Sequence, residues 1–146
     1  MDLLIRLAQK ADARGLAVLM GQLGYPHSEE WTAERLGRFS GAACTIWVAV
    51  RSERVLGFVV LQWFEFFHEE GMVARISAMA VDGSNRREGI GKALLAAVED
   101  DALRQGCSML EVTSSLKRGD AHAFYRDLGF EENSTKYLKR LRNELK

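Results

Sequence analysis

The chain has 146 residues, 47% of them hydrophobic and 27% charged, and its 20 basic and 20 acidic side chains leave no net charge. That length suits one domain with its own core, taken here as residues 1–146. Balanced charge excludes the broad basic field that holds nucleic acid, so any anion site on this chain must be local.

Leu3 to Leu7 reads as a first strand, and Asp12 as the N-cap of a helix running toward Gly24. Pro26 and Ser28 mark a break and a second cap. The helix that follows, from Glu29 to about Phe39, has acidic residues in its first turn, where the helix dipole favours them. Thr45 to Val50 and Val55 to Phe66 are β-branched and aromatic runs joined by Arg51-Ser52-Glu53-Arg54, the pattern of an antiparallel hairpin. The most apolar stretch, residues 55–67, is too short for a membrane span and carries Gln62 and Glu65, so it reads as a buried strand. The N-terminus lacks the apolar run and cleavage site of a signal peptide, and a cytoplasmic protein without membrane contact is expected. Val73 to Asp82 is the next strand. A helix from Ile90 to Gln105 puts Ile90, Leu94, Ala97 and Val98 on one face, and Gly106 ends it. A strand from Ser108 to Ser114, a short helix capped by Asp120 and running to Leu128, and a last strand from Glu132 to Leu141 complete a mixed α/β layer arrangement of order βααβββαβαβ.

The densest chemical signal is Asp82-Gly83-Ser84-Asn85-Arg86-Arg87-Glu88-Gly89-Ile90-Gly91-Lys92-Ala93, a basic, glycine-bearing loop between a strand and a helix. Glycine lets a ligand approach the backbone closely. A helix start offers unpaired N–H groups and partial positive charge, so the pattern points to a phosphate or pyrophosphate. Neither familiar phosphate loop fits. Against G-x-x-x-x-G-K-[ST], Arg86 stands at the first glycine and Ala93 at the hydroxyl position; against G-x-G-x-x-G, Leu94 stands at the last glycine.

What remains, R-x-x-G-x-G opening a helix, resembles the acetyl-CoA loop of the GNAT N-acetyltransferase superfamily, [QR]-x-x-G-x-[GA]. Arg118-Gly119-Asp120-Ala121-His122-Ala123-Phe124-Tyr125-Arg126-Asp127-Leu128-Gly129-Phe130 resembles that superfamily's later segment, A-x-x-F-Y-x-x-x-G-[FY]. Many members carry Asn where this chain has Arg118, and the variant is similar to aminoalkylphosphonate and aminoglycoside-type acetyltransferases. The resemblance spans most of the chain. It implies a fold in which the strand before the loop and the strand after the helix splay apart, and transfer of an acetyl group from acetyl-CoA to an amine.

On that resemblance the co-substrate is held by Met79, Ala80 and Val81 on the strand, by Arg86, Arg87, Glu88, Gly89, Ile90, Gly91, Lys92 and Ala93 in the loop, and by Arg118 and His122. Tyr125 stands at the family's position for the acid that protonates the departing thiolate; a phenol near pKa 10 suits a thiol near 8.5. The amine must lose a proton before attacking: near pKa 10.4 it holds that proton at pH 7 by about 4.6 kcal/mol. Where many relatives place a Glu or His base, this chain has Arg75 and Ser77. Glu111, Glu65, His68, Glu69 and Glu70 are the substitutes, with a water chain ending at Glu111 and Ser77 as the working assignment.

Glu65, Glu69, Glu70, Asp82 and Glu111 would draw a small cationic amine, whereas phosphonate recognition would use Arg75 and Arg118. Cys44 and Cys107 match no metal or redox spacing and read as packing, so direct attack in a ternary complex is expected rather than a ping-pong route. The dispersed histidines, with His68-Glu69-Glu70 not matching H-E-x-x-H, give no metal site. A homodimer is an expectation of the resemblance alone. The competing reading is an acyl-CoA-binding sensor without turnover, motivated by the missing base.

Overall fold

The computed structural model describes residues 2–113, 119–133 and 137–142. These fall into two compact units, Met1–Thr113 and Ser114–Lys146. The first carries β1 (Leu4–Leu7), α1 (Ala13–Leu23), α2 (Glu29–Arg38), β2 (Cys44–Arg51), β3 (Arg54–Glu65), β4 (Met72–Val81), α3 (Ile90–Arg104) and β5 (Cys107–Val112). The second carries α4 (Gly119–Asp127).

The five strands pair in chain order, antiparallel throughout except for β4 and β5, which run parallel because α3 carries the chain back between them. The hairpin expected at residues 51–54 forms, with Ser52 and Glu53 both at positive φ, 52° and 65°. That backbone matches the strand twist. Ser28 caps α2 as expected, its hydroxyl accepting from the Trp31 N–H at 3.0 Å. Asp12 does not cap α1. Its carboxylate turns back, accepting from Arg6 at 2.8 and 2.9 Å and from the Gln9 N–H at 2.7 Å, because a buried carboxylate is better served by a guanidinium than by helix amides alone.

Leu16, Leu19 and Leu36 of α1 and α2 pack with Val48, Val50 and Phe58 and with the smaller Ala78 and Ala80, covering one face of the sheet. Gly57, next to Phe58, points to the other face. A Cβ there would lie 3.1 Å from Ile90 Cγ2 and Leu94 Cδ1, so α3 rides close against the sheet at a position only glycine leaves open. Ile90, Leu94 and Val98 are buried as the helical spacing predicts, with Ala97 half-buried, Leu95 added, and Asp101 buried with them. Asp101 Oδ2 accepts from Thr45 Oγ1 at 2.7 Å and Trp47 Nε1 at 2.9 Å; Oδ1 accepts from Gln105 Nε2 at 3.1 Å. Burial pushes this carboxyl up, but those hydrogen bonds and Arg104 outweigh it and hold the group below the usual carboxylate range. The two cysteines are buried and free, with thiols pushed up by burial, which suits packing and not nucleophilic attack.

In the second unit α4 begins one residue before the expected cap, so Asp120 lies inside the helix. It closes at Gly129, whose φ of 92° lets Leu128 and Phe130 both donate to the Tyr125 carbonyl. The expected last strand is not found at residues 131–133 or 137–142; residues 134–136 lie outside the described residues, as do Ser114 and Arg118. No helix among the described residues is long and apolar enough to cross a membrane.

Candidate active site

The glycine-bearing loop leaves β4 at Asp82, a carboxylate only 8% exposed at the edge of the core. It accepts from Gln22 Nε2 at 3.1 Å and from Arg54 at 3.4 Å, while Gln22 Oε1 accepts the Gly83 N–H at 2.9 Å. One α1 side chain thus clasps two consecutive residues where the loop starts. Further on, Arg87 and Gly89 take left-handed conformations, φ 66° and 82°. Glycine adopts this freely, but at Arg87 it costs about 1–2 kcal/mol. Glu88 lies between them and is anchored: Oε1 accepts from Arg51 at 2.8 Å and Oε2 from Asn85 at 3.2 Å. The hydrogen bond from Arg51 holds the Glu88 carboxyl below its usual range.

The first loop-to-helix bond is the Ala93 N–H on the Gly89 carbonyl, 3.0 Å. Among the described residues no backbone acceptor engages the N–H groups of residues 89–92. They ring the start of α3 beside exposed Arg86, Arg87 and Lys92, while the one acidic side chain between them is neutralised by Arg51. An anion cradle of oriented amides and net positive charge results, and it fits a pyrophosphate. Three of the expected contacts are redefined. The Ala93 N–H is already used within the helix, Ile90 is buried and offers only its amide, and the Glu88 carboxylate serves the loop, since it would repel a phosphate.

β4 supplies the second element. Among the described residues its parallel ladder with β5 runs to Ile76 and Val112, and the stretch from Ser77 to Val81 pairs with β3 alone. Ser77 is an extra residue there: Val60 pairs with Ala78 and Leu61 with Ile76, a bulge at the point where the strands part. Because the Asp82 N–H donates to Leu56 at 2.7 Å, backbone alternation turns Ala80 toward β3 as well, and leaves the N–H and C=O groups of Met79 and Val81 facing the open side. Ala80 is therefore no cofactor contact through its backbone. Met79 and Val81 present the strand-like edge that amides of a pantetheine arm require.

Just below the fork, Gln62, Arg75 and Glu111 stand in register across β3, β4 and β5. Arg75 donates to Glu111 Oε1 at 2.5 Å and lies over the Phe64 ring at 5.2 Å. Glu111 is thus at the fork, as its assignment as base requires, but its Oε1 is held by Arg75. A pocket of about 410 Å³ opens beside this pair, between the C-terminal end of α2 and the ends of β2, β3 and β4. Arg38 and Arg75 are its charged lining, with no carboxylate. The cation-attracting wall expected from Glu65, Glu69, Glu70 and Asp82 is not found at it, and Asp82 is already tied to Gln22 and Arg54. No group of three or more metal-ligating side chains forms among the described residues.

In the second unit Tyr125 is half-buried, edge-on to the rings of Phe124 and Phe130 at 5.3 and 5.4 Å, with His122 one turn earlier and also half-buried. Sequence reasoning missed Gln22, Arg51 and Arg38. The first two act on the loop from about 61 and 37 positions away in the chain, and no local pattern announces such partners.

The profile of the acetyltransferase (GNAT) family matches residues 7–130. The aminoalkylphosphonate N-acetyltransferase of Salmonella typhimurium is 30% identical over 94 residues, covering 64% of this chain and 61% of that protein's length. Among solved structures, an acetyltransferase of Trypanosoma brucei superposes with a TM-score of 0.83 at 26% identity, over 96% of this chain and 100% of the other. An aminoglycoside N-acetyltransferase, AAC(6')-Iy, in complex with CoA, superposes at 0.86 and 21% identity, over 97% and 95%.

Proposed function

This chain belongs to the acetyltransferase (GNAT) family, and from that premise we propose that it moves an acetyl group from acetyl-CoA to the primary amine of a small aminoalkyl acceptor, by direct attack in a ternary complex. The observation that carries the reading is the pairing, among the described residues, of two sets of backbone groups without backbone partners in one unit: the amides of residues 89–92 at the start of α3, and the Met79 and Val81 edge of β4 beyond Ile76. Acetyl-CoA, when bound, supplies an acyl group activated as a thioester. The loop amides with Arg86, Arg87 and Lys92 hold its pyrophosphate. Met79 and Val81 pair with the amides of its arm, and one such N–H aimed at the thioester oxygen contributes about 3 kcal/mol to the transition state.

The amine's lone pair forms the new C–N bond as the C–S bond breaks. Its proton leaves by way of water to Glu111, with Ser77 at the bulge completing the relay, and the departing sulfur takes the Tyr125 phenol proton. This reading assigns Arg118 and His122 to co-substrate binding, as the family resemblance implies. A cytoplasmic homodimer acting as a single GNAT-like domain is the setting proposed for it.

The hold of Arg75 on Glu111 favours a second reading, an acyl-CoA sensor without turnover. Calorimetry with acetyl-CoA and a free-CoA release assay across an amine panel separate the two. Binding with release supports transfer, binding without release on any amine supports the sensor, and no binding refutes both.

A further inference from the structure

We propose that the pocket between α2 and the β3–β4 ends is an acceptor subsite for an anionic group, so that the preferred acceptor is a short amine with an oxyanion (phosphonate, phosphate or carboxylate) at its far end. The proposal rests on the acetyl-transfer reading and specifies its substrate.

Charge points first to an anion. Arg38 projects from the last turn of α2 and is exposed, with no ion pair among the described residues; Arg75 faces the same pocket from β4. No lining residue is acidic, and counting Glu111 behind Arg75, the rim carries two positive charges against one negative. The Arg75–Glu111 pair does not close the site. Its side chains are 50% and 45% exposed, and ion pairs at such exposure are weak. Arg75 is also steadied by Phe64, so its guanidinium is oriented before a ligand arrives. Gln62, opposite Arg75 in register, adds an amide donor, and Phe39, Trp63 and Phe64 give apolar walls for a short carbon chain.

Position supplies the length. The ladder between β4 and β5 ends one residue beyond Arg75, and the bulged Ser77 marks the fork. Two strand residues span about 7 Å. An amine at the fork with its other end on Arg75 and Arg38 is therefore bridged by a spacer of only a few carbons. A larger polycation would meet two guanidinium groups instead of carboxylates.

The test uses the full chain with acetyl-CoA and four acceptors sharing one short alkylamine spacer and ending in phosphonate, carboxylate, hydroxyl or ammonium. Initial rates of CoA release give kcat/KM for each. The expected result is at least a tenfold preference for an oxyanion over the hydroxyl, with the ammonium poorest. Phosphonate against carboxylate identifies which oxyanion fits. In Arg38→Gln and Arg75→Gln the oxyanion-to-hydroxyl ratio falls toward one, carried mainly by KM, and Arg38→Lys restores part of it; melting curves confirm that the variants fold. A preference for hydroxyl or ammonium, or a ratio unchanged in both glutamine variants, overturns the subsite and leaves acetyl transfer standing. If no amine supports release, the transfer reading fails instead, and calorimetry with the aminoalkylphosphonate alone decides the subsite: binding lost in Arg75→Gln supports it, and no binding to the unaltered protein refutes it.

Discussion

Gln22 reaches from α1 to the start of the glycine-bearing loop, the proposed pyrophosphate site. Its two hydrogen bonds, to Asp82 Oδ1 and from the Gly83 N–H, fix the first two residues beyond β4. Gln22→Met keeps the length and the apolar stem and removes both bonds. A hydrogen bond between neutral groups contributes about 1 kcal/mol and one to a carboxylate about 1.5–3 kcal/mol, so the clasp is worth about 2–4 kcal/mol to the loop. Arg54 and the Ser84 N–H, each at 3.4 Å from Asp82, retain part of that order. Re-forming the loop around a ligand then costs about 1–2 kcal/mol, or roughly 5- to 30-fold in acetyl-CoA affinity. Calorimetry of acetyl-CoA binding and steady-state kinetics in both substrates check this. The KM for acetyl-CoA should rise by that factor while the KM for the amine stays within about twofold, since the pocket proposed for the acceptor is not lined by α1. Unchanged acetyl-CoA affinity in a folded Gln22→Met protein would refute the reasoning, because the loop would then hold its shape without the clasp.

Three further outcomes are expected. Asp101→Asn leaves Thr45, Trp47 and Gln105 competing for one acceptor oxygen, and should lower stability by about 2–4 kcal/mol, measured by urea unfolding. The Asp101 carboxyl sits lower in the folded chain than in the unfolded one. Its stabilisation is therefore complete above the ordinary aspartate value of about 3.9 and is lost as pH falls through the lower folded value; Asp101→Asn should flatten that acid limb. Gly57→Ala places a methyl 3.1 Å from Ile90 and Leu94 and 3.2 Å from the Ala80 carbonyl, so α3 must lift; a loss of about 1–3 kcal/mol by thermal melting, with weaker acetyl-CoA binding, is expected. Tyr125→Phe keeps the ring packing on Phe124 and Phe130 and removes the proposed acid; kcat should fall about 100-fold or more, and a smaller loss assigns the proton to water.

The sequence alone determined the parts of this protein that are written in short range. The hairpin at Ser52-Glu53, the Ser28 cap and the buried stripe of α3 are each fixed by residues within a turn or two of one another, and periodicity and backbone sterics act over that distance. Tertiary structure decided the rest, because hydrogen-bond and charge partners are chosen by proximity in space. It turned the carboxylates of Asp12, Asp82 and Glu88 inward to Arg6, Gln22 and Arg51. It set Arg75 against Glu111 across a parallel pair that a whole helix separates in the chain. And it bulged β4 at Ser77, which turns the backbone groups of Met79 and Val81, not Ala80, away from β3: register in a sheet is a property of two strands, and neither carries it by itself.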